Sequence, residues 1–176
     1  MLLKEKEEIK AWLNQYQIIN YEIIKDEDYG YVVNVNGSVN LARKKLKSID
    51  VKFNQINGWF SCAFNHLTSL EGCPEIVNGS FYCNANKINS FKYSPKVIGD
   101  HFFGANNLFS IDSLNFFPSQ IKNNVFIINN KNLGELQNKE NFQIFKEIIK
   151  TQKEKEKLLN NINKETLKNN NIINKI

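Results

Sequence analysis

Apolar and polar positions recur with a period of 21 residues through the middle of the chain. Phe60 and Phe81 each begin the same pattern, apolar-x-apolar-x-x-Asn-x-apolar-x-x-apolar, and Phe102 follows after a further 21 residues. Stepping back by the same interval leads to Val39. The alternation at the front of each unit predicts a short strand with one buried face. Because so small a unit cannot bury its apolar side alone, we expect the units to stack into a solenoid, with strands about 4.8 Å apart.

The asparagine of each unit follows the predicted strand. Its amide can donate to and accept from neighbouring units. The chain holds 29 asparagines, an unusual number of polar, uncharged side chains. The glycines and prolines are expected to shape the return turn.

A fifth unit is predicted at Val125, although it stands 23 residues after Phe102. Pro118 precedes it by seven residues, as Pro74 and Pro95 precede the two earlier anchors. The unit at Phe102 has Gly104 where cysteine is expected and Leu108 one residue early. We therefore predict about four to five units over residues 35–136, with the regular structure degrading near its end.

The two ends of the chain are predicted to cap the solenoid. Residues 1–34 form an N-terminal helix and hairpin cap, in which the helix over 2–17 places Ile9, Trp12 and Leu13 on one face. Strands at 21–25 and 31–35 flank a turn-rich segment. Residues 137–176 are predicted to form a C-terminal helix and a basic, partly disordered tail.

The unit Phe-x-Cys-x-x-Asn-x-Leu-x-x-Leu-x-Gly-x-Pro, beginning at Phe60, resembles a short leucine-rich repeat. The segment LTSLEGCPEIVNGSFYC is similar to the short leucine-rich-repeat-like proteins of bacteriophages and prophages, and the resemblance covers about residues 9–112. It implies an α/β repeat, a leucine-rich-repeat-like solenoid with helical N- and C-terminal caps. A phage origin would suggest an inhibitor of a bacterial host or defence complex, for example a CRISPR-type complex, acting in the host cytoplasm.

The net charge of +5 is unevenly distributed. Residues 56–136 carry five Lys/Arg against five Asp/Glu, whereas residues 137–176 carry nine against five. A local basic cluster contributes the rest of the positive character: Arg43, Lys44, Lys45 and Lys47. A nucleic-acid groove along the neutral centre is therefore not predicted. Nucleic-acid association through this cluster and the tail is the alternative function, and a solvated surface explains the same charges without a ligand.

Outward positions of a half-exposed strand are expected to be polar, yet several are aromatic here. Aromatic rings flanked by hydroxyl and amide groups are typical of protein-recognition surfaces. We therefore predict a protein-binding face composed of Trp59, Ser61, Tyr82, Asn84, His101, Phe103 and Phe126. A terminal helix that covers these rings as ordinary core is the competing interpretation.

The sequence predicts neither an enzyme nor a metal protein, and no cofactor is expected. Cys62, Cys73 and Cys83 with His66 lack the Cys-x-x-Cys spacing of a compact chelate. We expect the cysteines to be small, reduced core residues, although Cys73, in a turn, could be exposed. No apolar run is long enough to span a membrane, so a soluble, cytoplasmic protein is expected.

Overall fold

The computed structural model describes residues 2–130 and 132–133, which form a β-solenoid of about four turns. The chain divides into two compact units, Met1–Gln137 and Asn138–Ile176. The second unit, with the predicted C-terminal helix and basic tail, lies outside the described residues.

A helix and a β-hairpin precede the coils, in the part of the chain where the sequence predicted them. Helix α1 spans Lys6–Gln15 and buries Ile9, Trp12 and Leu13. Strands β1 (Tyr21–Asp26) and β2 (Gly30–Val35) form an antiparallel hairpin, whose turn is fixed by backbone N–H groups that donate to the Asp26 carboxylate. The Trp12 ring lies 6.2 Å from that of Phe53, so the helix covers apolar surface at the start of the solenoid.

The strands of the coils form two sheets, each parallel from coil to coil. Sheet A joins the hairpin in the order β1-β2-β4-β6-β8-β10, and sheet B has the order β11-β9-β7-β5-β3. Their bounds are β3 Val39–Asn40, β4 Phe53–Ile56, β5 Phe60–Ser61, β6 Ile76–Val77, β7 Phe81–Tyr82, β8 Val97–Ile98, β9 Phe102–Phe103, β10 Gln120–Ile121 and β11 Val125–Phe126.

The register confirms the repeat, including the fifth unit. Val39 pairs with Phe60, Phe60 with Phe81, Phe81 with Phe102, and Phe102 with Val125. The longer interval of 23 residues between Phe102 and Val125 contains a 3₁₀ helix, Ile111–Phe116. The expected degradation of the solenoid is therefore wrong, because both sheets continue through β10 and β11.

The phenylalanine anchors form a single file inside the solenoid, as predicted. Phe60, Phe81 and Phe102 are fully buried, and their ring centroids are 5.8 Å apart at both steps. Cys62 and Cys83 lie two residues further along their coils and are also buried. Residues separated by 21 positions thus occupy equivalent places in the core.

The coil at Phe102 keeps the core filled because one position holds a larger residue than in the other coils and a neighbouring position holds a smaller one. Phe109, not Leu108, fills the position of Leu67, because Phe109 is buried and Leu108 is 40% exposed. The larger ring needs space, and a Cβ on Gly104 would come within 2.6 Å of Phe102 and 3.0 Å of Phe109. Gly104 therefore provides space for the Phe109 ring, and it does not mark the end of the regular repeat.

Four asparagine side chains connect each coil to the previous one by hydrogen bonds, and we call them the asparagine ladder: Asn65, Asn86, Asn107 and Asn130. In Asn107, Nδ2 donates to the carbonyl of Gly104 in its own coil (3.2 Å) and to that of Cys83 in the previous coil (2.9 Å), while Oδ1 accepts the N–H of Ile88 (3.2 Å). The other three repeat this arrangement. Each amide thereby satisfies buried backbone groups that the turn leaves unpaired.

The residue before each of these four asparagines, and before Lys44 at the equivalent place in the first coil, has a left-handed backbone. This conformation turns the chain sharply out of sheet B, and only Asn and Gly adopt it readily. The five residues, with φ between 55° and 59°, are Arg43, Phe64, Ala85, Asn106 and Asn129.

The asparagine ladder generates the first prediction. Asn107→Ala leaves the buried Ile88 N–H without its acceptor and removes one of the two amide donors from the Cys83 and Gly104 carbonyls, so it should lower the free energy of unfolding by about 2 kcal/mol. The matched control is Asn78→Ala, which removes an exposed amide that bonds only to Asn57 and should change stability by less than about 0.5 kcal/mol. Urea unfolding of both variants measures the difference. Equal losses would show that the buried ladder does not hold the coils.

The Gly104 and Phe109 pair generates the second prediction. Gly104→Cys alone should destabilise the fold by about 1–3 kcal/mol through overpacking, and Phe109→Leu alone should do so through a gap. The double variant recreates the Cys62 and Leu67 combination of an earlier coil, so it should recover most of the loss. Thermal or urea unfolding of the full double-mutant cycle measures the coupling. Simple additivity would contradict this explanation of the packing.

Candidate functional site

Sheet B carries a file of aromatic rings on its outer side. Tyr82, Phe103 and Phe126 stand at equivalent positions of β7, β9 and β11, and their ring centroids are 4.6 Å apart at both steps, with planes within 6° of parallel. Trp59 closes the file at the other end, 6.4 Å from Tyr82 and at 89° to it. We call these four residues the aromatic file.

The aromatic file is accessible to a partner along part of its surface. Trp59 is 40% and Phe126 37% exposed, and Tyr82 and Phe103 are half-buried. Since the three stacked rings cover one another's faces, they present their edges to the outside. Ring edges carry partial positive charge, which favours contact with the face of another aromatic ring or with carbonyl oxygens.

His101 forms the polar border of the aromatic file. Its ring centroid lies 5.8 Å from that of Phe103 and 6.0 Å from that of Phe126. Its Nδ1 accepts the Asn124 N–H at 3.1 Å, and its Nε2 lies 3.4 Å from Asp100 Oδ1. Hydrogen bonds from Asn123 and Ser80 lower the pKa of Asp100. The imidazole is therefore held beside the rings by its neighbours.

The structure brings together most of the predicted protein-binding residues. Asn84 is half-buried at the end of the β7 coil, where its carbonyl accepts the Phe64 N–H. The prediction that Ser61 is exposed is wrong: it is only 7% exposed, and it is paired with Tyr82, a much larger residue, in the next coil. Coverage of the rings by the predicted C-terminal helix concerns residues outside the described part of the chain.

The basic cluster lies apart from the aromatic file, in the segment after β3. Arg43, Lys44, Lys45 and Lys47 are all exposed. The Arg43 guanidinium carbon lies 4.2 Å from the centroid of the Phe64 ring. Nucleic-acid binding through these residues stays a prediction.

A second charged cluster, not predicted from the sequence, lies on sheet A. Lys52 is only 4% exposed; its Nζ donates to the Cys73 carbonyl at 2.8 Å and to Glu75 Oε1 at 2.9 Å. Lys96 contacts the other carboxylate oxygen of Glu75 at 2.7 Å. Lys52, Glu75 and Lys96, together with Tyr29, line a groove of about 430 Å³. The sequence could have indicated this cluster through the 21-residue spacing of Glu75 and Lys96, which places the two residues in adjacent coils.

Opposing effects act on the Glu75 carboxyl. Burial favours its neutral form, but hydrogen bonds from Lys96 and Lys52 outweigh burial and lower its pKa. The carboxylate therefore compensates a nearly buried lysine, which would be costly to leave unpaired.

The cysteines are core residues, as predicted for Cys62 and Cys83, but the suggested exposure of Cys73 is wrong because its side chain is buried. A hydrogen bond with Cys73, together with burial, raises the pKa of Cys62, and burial raises that of Cys83. Both thiols thus stay protonated at neutral pH. His66 is exposed. Residues 2–130 and 132–133 contain no cluster of His, Cys, Asp and Glu suited to a metal ion.

The Glu75 interactions generate the third prediction. Because its pKa is lower in the folded state than the ordinary 4.5, the carboxylate stabilises the fold above that pH, and this stabilisation is lost as the pH falls through the folded-state value. Glu75→Gln should cost about 2 kcal/mol at pH 7, since the amide keeps an acceptor but leaves Lys52 without a counter-charge. The variant should also show a smaller decrease in the free energy of unfolding as the pH is lowered.

Urea unfolding between pH 7 and about pH 3 measures both effects. Asp100→Asn is the comparison variant: the pKa of Asp100 is also lowered, by hydrogen bonds from Asn123 and Ser80, so this variant too should lose part of its pH dependence. It leaves no buried lysine without a counter-charge, so its loss of stability at pH 7 should be smaller than that of Glu75→Gln. A Glu75→Gln variant with the wild-type pH profile would contradict the assignment.

No helix in the described part of the chain has the length and apolar character needed to cross a bilayer. Comparisons with protein-family models, curated proteins and solved structures gave no significant match. The aromatic file and its surroundings are therefore the features of this protein that indicate a function.

Proposed function

We propose that this protein is a non-enzymatic protein-binding module that covers a surface of its partner and blocks it sterically. The observation that carries the proposal is the aromatic file, four rings in contact on the outer side of one sheet. Aromatic residues account for much of the binding energy in protein interfaces because they bury a large area with few rotatable bonds.

The rigidity of the file supports this function. Each ring of the stack belongs to a strand that is paired at a fixed register with the next, and its neighbours limit its rotation. A surface that is ordered before binding loses little conformational entropy when the partner docks. Asn84 and His101, both half-buried, supply polar groups beside the rings, which would orient the partner.

We extend the proposal to the origin of the protein. The repeat unit at Phe60 supports a leucine-rich-repeat-like solenoid of the α/β type, related to the short phage and prophage proteins. On this proposal the protein is a phage-encoded inhibitor of a bacterial host or defence complex, such as a CRISPR-type complex, in the host cytoplasm. The stacked coils and the aromatic file are compatible with such a role.

The fourth prediction tests the aromatic file directly. Tyr82→Ala with Phe103→Ala should abolish capture of the partner from a host lysate, because it removes the centre of the file. Folding should be retained, since both side chains point away from the core. Capture followed by identification of the retained proteins, and then titration of the purified partner by calorimetry, measures the effect.

The matched control is Tyr93→Ala, which removes a ring that is also about one-third exposed but lies near Lys92 rather than on the file. It should capture the same partner as the wild type. A double variant that unfolds would show that the rings are core, and one that still binds would place the interface elsewhere. Captures with nuclease and at two salt concentrations separate this result from lysine–phosphate binding, which weakens steeply with salt.

A further inference from the structure

We propose that the aromatic file also pairs with the aromatic file of a second copy of this chain, forming a symmetric dimer through the outer side of sheet B. The inference rests on the proposed function, because it assigns a partner to the same binding surface. Three features of that surface favour a second copy: its lack of charge, its regular spacing and its exposed ring edges.

The outer side of sheet B carries no charged residue over its whole length. Three columns run along it, beginning at Ser38, Asn40 and Ala42. The middle column lies within the five strands, and the other two lie just before and just after them. None of these fifteen positions, three in each of five coils, is Lys, Arg, Asp or Glu, in a chain in which 23% of residues are charged. Three of the fifteen, Ser61, Ala63 and Ser80, are buried. Asp100 lies beside the columns and is bonded to Asn123 and Ser80.

The absence of charge permits self-association despite the net charge of +5. Positive side chains such as Arg43, Lys44, Lys45 and Lys47 lie outside the three columns. Two copies can therefore bring these sides together without burying like charges, which would otherwise be costly. This surface offers no charge complementarity to an acidic or a basic partner.

The spacing of the rings selects a partner with the same repeat. Stacked rings follow one another at 4.6 Å, close to the strand spacing of about 4.8 Å in any sheet. Another sheet can match this spacing over several successive strands, so that a contact made at one coil recurs at the next. A second copy of this chain offers the matching spacing together with the matching rings.

The orientation of the rings suits face-to-face packing of two sheets. Two sheets pack about 10 Å apart with their side chains interdigitated, and here the interdigitating groups would be ring edges. Trp59 and Tyr82 already form an edge-to-face contact within one copy. A two-fold axis in the interface repeats such contacts reciprocally, as in most protein dimers.

The fifth prediction is a concentration-dependent dimer of the full chain. The three columns form a narrow surface, so we expect a dissociation constant on the order of micromolar, at the weak end for specific interfaces. Sedimentation velocity of the purified protein over a wide concentration range measures it. Raising the salt from about 0.05 to 0.5 M should not weaken the dimer, since no ion pair crosses the interface.

The variant that tests the surface is Tyr82→Ser with Phe103→Ser. Serine already occupies this column at Ser61, so the fold accepts it, and circular dichroism with thermal unfolding checks this point. The variant should raise the dissociation constant at least about 100-fold, about tenfold for each ring. Tyr93→Ser, the matched control away from the file, should dimerise like the wild type.

The outcomes separate this inference from the proposed function. A wild-type protein that remains monomeric at all concentrations would overturn the dimer and leave binding of another protein intact. A dimer that persists in the double serine variant, or dissociates in high salt, would also overturn it. The proposed function fails independently if a purified partner binds the variants without the rings as tightly as the wild type.

Discussion

The side-chain amides of Asn65, Asn86, Asn107 and Asn130 hold the point at which each coil leaves sheet B. Each amide bonds to its own coil and to the previous one, so it fixes both the shape of the turn and the offset between coils. Because the offset is constant, side chains at matching places lie directly above one another. The inner phenylalanine file and the outer aromatic file both depend on that register.

The two files show how one repeat can serve different purposes on its two sides. Inside, the stacked rings are surrounded by other apolar side chains and provide the stability that a two-residue strand cannot supply alone. Outside, the rings contact mainly one another, and their edges remain available. The inner file thus keeps the outer one in place, and a binding surface is obtained without a long loop or a deep cleft.

The inner file, the hairpin and the first helix could be predicted because their signals are periodic and local. Sheet A was harder to predict, since its strands in the later coils are two residues long, as at Ile76–Val77, and follow a proline that suggests only a turn. The burial of Ser61 was not readable from its own coil, because its strand neighbours belong to other coils. Gly104 looked like a missing cysteine because its partner, Phe109, is close in space only once the coil has formed.

The left-handed turns add a consequence for the way this protein holds its shape. Phe64 and Ala85 adopt φ values of 56° and 55°, which cost a side-chain-bearing residue about 1 kcal/mol each. A single coil, cut from its neighbours, would relax out of this bend, because the bonds that compensate it belong to the adjoining coils. The curvature is therefore a collective property of the array, and we expect the coils to form and come apart together rather than one by one.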